Sequence, residues 1–182
     1  MQSGARLTET RGGFLPRAAG PSLATLVLVS LTAGNLTAQD PVQWTAALGK
    51  RDPAPGAKVE VVVRAAIEPG WYIYSITQGE GGPVPSRISL DEDQPFTLAG
   101  AIEGSEPKAR FDRSFSMQVE VHEESVAYRV PVLVAAEAAA GKREMLIRAR
   151  YQACTDRVCL PPQTEKISVL VRITTGRTPA GD

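Results

Sequence analysis

From Lys58 to Thr174 the chain is a succession of short segments that are apolar on one face or throughout, each closed by glycine, proline or acidic residues. Lys58–Arg64 alternates about Val59, Val61 and Val63, although Val62 makes its middle apolar on both faces, and this predicts a half-buried strand. Trp71–Ser75 follows the turn pair Pro69-Gly70 and is rich in aromatics. Gln78–Pro85 is a Gly/Pro loop. Further strands fit Arg87–Leu90, Phe96–Ile102, Met117–His122, Val126–Ala135, Glu144–Gln152 and Lys166–Thr174, with Glu123-Glu124-Ser125 turning the chain between two of them. Only Ala135–Ala140 favours helix, and Gly141 stops it so soon that a single turn or a sheet-to-sheet crossover is expected. Seven or eight strands spaced by roughly 8–12 residues predict an all-β chain, an immunoglobulin-like antiparallel β-sandwich.

The ends read differently. Arg6, Arg11 and Arg17 precede the apolar run Leu23–Leu31, and Leu36-Thr37-Ala38 offers a small-residue cleavage site, so residues 1–38 are expected to be a signal peptide. The apolar run falls short of the roughly 20 residues that span a bilayer, so export to the periplasm is expected, with an uncleaved anchor as the alternative. Residues 39–57, with Pro41, Pro53 and Pro55, read as an N-terminal arm that Trp44 and Leu48 pin to the body at 58–175. Residues 176–182 read as a polar tail. The formal net charge is +0 and the basic residues are scattered, which argues against nucleic-acid binding.

The chain has only two cysteines, Cys154 and Cys159, in the segment Tyr151-Gln152-Ala153-Cys154-Thr155-Asp156-Arg157-Val158-Cys159-Leu160-Pro161-Pro162. With the signal segment, they belong in an oxidising compartment. Residues 148–152 run extended into Cys154, and Pro161-Pro162 interrupts pairing beyond Cys159. If the two cysteines flank a four-residue hairpin loop, they face each other at nearly disulfide distance. Closing a loop of about six residues yields only about 2 kcal/mol, which is little for a staple. Spacing and compartment alone leave an inert clamp and a redox couple equally open. A structural zinc site is not expected, because two cysteines and the single His122 cannot supply the usual four ligands.

The segment Tyr151–Cys154, four residues, then Cys159–Pro162 resembles the active-site hairpin of the N-terminal periplasmic domain of the DsbD family of thiol:disulfide interchange proteins. Pro69-Gly70-Trp71-Tyr72-Ile73-Tyr74-Ser75 is similar to that family's early aromatic strand, and Gly82–Ser86 to the loop after it. The resemblance covers most of residues 40–175 and implies an immunoglobulin-like sandwich without small-molecule cofactor. It implies that Cys154 and Cys159 pass electrons to thioredoxin-like periplasmic proteins and are reduced again by a membrane electron transporter. It also implies that Cys159 attacks and Cys154 resolves. DsbD itself continues into membrane spans and a thioredoxin-like domain, so the electron source and acceptor are expected to be separate proteins. The family's cap loop, whose aromatic ring covers the disulfide, falls at Phe111-Asp112-Arg113-Ser114-Phe115. Phe115 is the expected shield and Phe111 the second choice, with an ordinary core phenylalanine as the alternative. Asp112 is a candidate for proton traffic beside a thiol, or else a solvated loop carboxylate. Arg157 is a candidate for stabilising a thiolate at Cys159.

Other signals carry less. His122 falls on the polar face of its strand and reads as a surface residue, and no second histidine exists to build a Cys-His or Ser-His site. Trp71, Tyr72 and Tyr74 read as core aromatics rather than a sugar platform. Asp91-Glu92-Asp93 and Glu123-Glu124 read as solvated turn acids.

Overall fold

The computed structural model describes residues 40–49, 52–113 and 115–175. The proposed signal peptide and the polar tail lie outside the described residues. In chain order the strands are β1 (Val42–Leu48), β2 (Lys58–Ile67), β3 (Tyr72–Tyr74), β4 (Arg87–Leu90), β5 (Phe96–Leu98) and β6 (Glu103–Gly104). They continue as β7 (Lys108–Asp112), β8 (Met117–Glu123), β9 (Ser125–Val134), β10 (Gly141–Tyr151), β11 (Ala153–Cys154) and β12 (Gln163–Ile173). Every strand pairing is antiparallel, and the described residues contain no helix.

Three sheets result. One runs β1-β2-β9-β5, with β6 also on β9; the second runs β12-β10-β4, and the third β11-β3-β8-β7. The first two face each other through period-2 alternation. β2 and β9 send in Val61, Val63, Ala65, Val130 and Val132, while β10 and β12 send in Met145, Ile147, Ala149, Val169 and Val171. The third sheet is different. Ile73 joins the main core, whereas Tyr72, Tyr74, Val119, Val121 and Cys154 form a separate small core edged by Met117 and Cys159. The cysteines therefore belong to this smaller sheet.

The N-terminal arm is corrected to a strand. β1 pairs with β2 from Val42↔Ile67 to Leu48↔Val61. Val42, Trp44, Ala46 and Leu48 alternate, which suffices for an edge strand even between prolines. Trp44 and Leu48 do pack on the main core, Trp44 with ring centroids 6.2 Å from Tyr128 and 5.2 Å from Tyr151. Asp40 anchors its start: its carboxylate accepts hydrogen bonds from the Tyr151 hydroxyl at 2.5 Å and Gln163 Nε2 at 2.6 Å. Residues 96–102 divide, with β5 ending at Leu98 before the chain returns as β6. Ala135–Ala140 is a crossover between the first and second sheets. Glu123–Ser125, with Glu124 at φ 63°, likewise passes the chain from the third sheet to the first.

His122 is also corrected. It is only 4 % exposed. Val121 fills the small core, and the next residue points the opposite way, beside Ile73 and edge-on to Tyr128 at 6.1 Å. Both faces of β8 are covered here, so alternation places no wet side at this residue. Burial pushes the imidazole pKa below its ordinary value. The unfolded chain then takes up a proton that the native state refuses, so stability is present above about pH 6.5 and is lost as pH falls below it. Thermal melts from pH 7.5 to pH 5 should show a steeper decline for the wild type than for His122→Phe. Equal slopes would show that His122 takes no part.

Candidate functional site

β10 runs alongside β12 to Tyr151, and after Gln152 the chain changes sheets. β11 pairs with β3 through Ala153↔Ile73 and Cys154↔Tyr72. A tight hairpin follows. Cys154 and Cys159 sit opposite each other as an antiparallel bridge, joined by a disulfide with Cα atoms 4.0 Å apart. Backbone bonds from Thr155 N to Val158 O (2.8 Å) and from Leu160 N to Ala153 O (2.9 Å) close it on either side. The Thr155 hydroxyl oxygen accepts from the amides of Arg157 (3.2 Å) and Val158 (3.1 Å), tying the loop locally as threonines do in turns. The hairpin expected from the spacing is the one observed. The two cysteines are unequal: Cys154 is fully buried, while Cys159 is only half-buried at the edge of the small core.

Beneath the pair lies a polar group that the sequence did not reveal. Tyr72 and Tyr74, two apart on β3, share a face. The Tyr74 hydroxyl donates to Asp112 Oδ2 at 2.9 Å and lies 3.5 Å from Cys154 Sγ. Tyr72 reaches Asp112 Oδ2 at 3.5 Å and the Thr155 carbonyl at 3.3 Å. Burial raises both phenol pKa values, and the Asp112 hydrogen bond adds to the rise at Tyr74, so both rings remain protonated donors. Asp112, expected either near a thiol or in solvent, is buried at the end of β7 with these partners.

The β7–β8 turn lies over this group. Phe115 is 39 % exposed and sits edge-on to Tyr74, with ring centroids 6.3 Å apart. It is therefore not an ordinary core phenylalanine. The Phe115 amide donates to Asp112 Oδ1 at 3.4 Å, and Ser116 takes a left-handed φ of 53° to close the turn. Phe111 is more exposed, at 56 %, on the edge strand. Arg157 is exposed at the hairpin tip. The cation that does meet the hairpin is Arg110, which pairs with Asp156 and lies 4.4 Å over the Tyr72 ring. A cleft of about 300 Å³ opens here, lined by Tyr72, Arg110, Phe111, Asp112, Thr155 and Asp156 among others.

A family profile described as "Thiol:disulfide interchange protein DsbD, N-terminal" matches residues 39–171, most of the chain. The chain belongs to the DsbD N-terminal family. Among solved structures, the reduced N-terminal domain of Neisseria meningitidis DsbD is similar at 19 % identity. That match covers 71 % of this chain and 86 % of that one, with a TM-score of 0.45. The N-terminal periplasmic domain of ScsB from Proteus mirabilis is similar at 18 % identity and a TM-score of 0.50. It matches over 74 % of this chain and 47 % of that one. No curated protein matches the chain. As a DsbD N-terminal domain the chain has an immunoglobulin-like β-sandwich fold, and its family is one of thiol:disulfide interchange.

Energetics bear on what the disulfide does in a DsbD N-terminal domain of this shape. Closing so short a loop contributes about 2 kcal/mol, no more than burying one valine or isoleucine, about 1.5–3 kcal/mol. The main core holds many such residues. Reduction should therefore lower the melting temperature by only about 5 °C, as thermal melts with and without reductant would show. Collapse of the fold on reduction would contradict this.

Proposed function

We propose that this domain is a periplasmic electron relay that works through reversible opening of the Cys154–Cys159 disulfide. The observation that carries the reading is the asymmetry of the pair: a half-buried cysteine bonded to a fully buried one whose sulfur abuts a tyrosine–aspartate couple. Cys159 is the less buried of the two residues and so the one that a partner sulfur reaches in this reading. In the reduced form its thiolate attacks the disulfide of an oxidised thioredoxin-like protein, releasing one partner thiolate and forming a mixed disulfide. Cys154 then attacks the Cys159 sulfur and releases the second partner thiol. Two electrons have passed to the partner, and the domain is left oxidised.

Reloading runs in the opposite sense. A thioredoxin-like donor belonging to a membrane electron transporter attacks Cys159, Cys154 departs as the leaving thiolate, and the donor's second thiol then attacks the donor sulfur of the mixed disulfide and releases Cys159. The Tyr74 hydroxyl, kept protonated by burial and by Asp112, is the group beside Cys154 that can hydrogen-bond the departing thiolate. The exposed aromatics Phe111 and Phe115, with Val158 in the loop, give a partner an apolar landing around Cys159. The signal-like sequence of residues 1–38, with basic residues before the apolar run Leu23–Leu31, supports the periplasmic reading.

The test is to mix the reduced domain with an oxidised thioredoxin-like protein and count thiols on each by alkylation and mass spectrometry. Stoichiometric movement of two thiols from domain to partner is expected. Retention of both thiols on the domain with every such partner would leave an inert hairpin clamp in a binding or assembly module as the better account.

A further inference from the structure

The loop between the cysteines is held from outside by two side chains of its own sheet, Tyr72 on β3 and Arg110 on β7 at the opposite edge. Arg110, in the middle of β7, pairs its guanidinium with the Asp156 carboxylate and, at 3.5 Å, with Glu123 of β8. The same guanidinium lies 4.4 Å over the ring of Tyr72, whose hydroxyl reaches the Thr155 carbonyl. Arg110 thus bridges the body of the third sheet to the two residues that follow Cys154. Its side chain is 29 % exposed, whereas that of Asp156 is 78 % exposed. Asp156 contributes nothing to the core, and its pairing has no evident role in folding.

We propose that Arg110 and Asp156 form a clasp that sets the reduction potential of the pair, with Arg110 as a positioning residue. This rests on the exchange reading above. When the disulfide opens, Thr155–Val158 loses its covalent closure and keeps its shape only through the hairpin's own hydrogen bonds and the contacts from the sheet. The clasp forms when the loop keeps its closed shape, the shape that holds the two sulfurs within bonding reach. A contact that favours the closed loop favours the disulfide, and by reciprocity the disulfide favours the contact. Removing either partner therefore makes the dithiol easier to form and the domain a weaker reductant.

A purely electrostatic role predicts something different. A nearby cation stabilises thiolates and a nearby carboxylate destabilises them, so losing Arg110 and losing Asp156 would move the couple in opposite directions. The clasp moves it the same way for both. An ion pair this exposed is weak, and the expected shift is about threefold in the equilibrium constant, which is about 14 mV for a two-electron couple.

The experiment equilibrates the full exported protein with glutathione at fixed pH, using wild type, Arg110→Gln, Asp156→Asn and the double variant. Oxidation by glutathione disulfide joins the two sulfurs and passes two electrons to glutathione, releasing two of its thiols, so the dithiol fraction gives the constant directly. Each single variant should move about threefold toward dithiol, and the double variant should move no further than the singles. Opposite shifts, additive shifts, or none in variants that still equilibrate would overturn the clasp. A wild-type pair that fails to equilibrate at all would overturn the exchange reading and the clasp with it, so the two failures are distinguishable.

Discussion

Cys154→Ser should accumulate a long-lived mixed disulfide between Cys159 and a thioredoxin-like partner, whereas Cys159→Ser should accumulate none. The expectation follows from the unequal burial of the two residues: Cys159 is partly buried at the edge of the small core, and Cys154 lies within it. In the wild type, Cys154 lies directly across the hairpin, where under the proposed relay it would resolve the adduct within one molecule. Well-oriented intramolecular reactions reach effective molarities on the order of 10⁵ M or more, so removing the resolving thiol should lengthen the adduct's lifetime by orders of magnitude. Non-reducing gels and mass spectrometry of periplasmic extracts would show it. Adducts on Cys154 in the Cys159→Ser protein would reverse the roles while leaving exchange intact.

Phe115→Ala should expose the pair without unfolding the domain. The ring rests edge-on against Tyr74, and such a contact is worth about 1 kcal/mol, so its loss should raise the reactive population at least about fivefold. The rate at which the reduced protein is alkylated by a small reagent reports this. Because Phe115 is already 39 % exposed, its truncation should cost little stability. A large loss of stability with an unchanged thiol rate would mean that the ring supports the turn rather than shields the sulfurs. Phe111→Ala, on the more exposed ring, should change the rate less.

The parts of the fold that could be read from the sequence were those in which alternation and burial agree. β2, β9, β10 and β12 each bury one face in the main core, and β4 falls at Arg87–Leu90 as expected. Edge strands were harder. β7 reads Lys-Ala-Arg-Phe-Asp and forms because β8 offers it a ladder from Lys108↔Val121 to Asp112↔Met117, not because its own residues demand it. His122 was misplaced because alternation presumes one wet face, and β8 has none at that residue. The cysteine hairpin was legible, since spacing, the extended run before it and the prolines after it all act locally. The tyrosine–aspartate couple was not. Tyr74 and Asp112 lie 38 residues apart and meet only through the joint register of β3, β8 and β7. Arg110 and Asp156 meet through the same register plus the turn of the hairpin, and nothing in either local sequence marks them.

The reduction potential of the Cys154–Cys159 pair is the most direct measure of whether the disulfide is a working couple. Equilibration of the folded domain with glutathione or a thioredoxin of known potential, followed by acid quench and thiol counting, yields it. A relay that trades electrons with thioredoxin-like proteins should lie near or above about −230 mV, and a potential below about −300 mV, where structural disulfides fall, would contradict the relay.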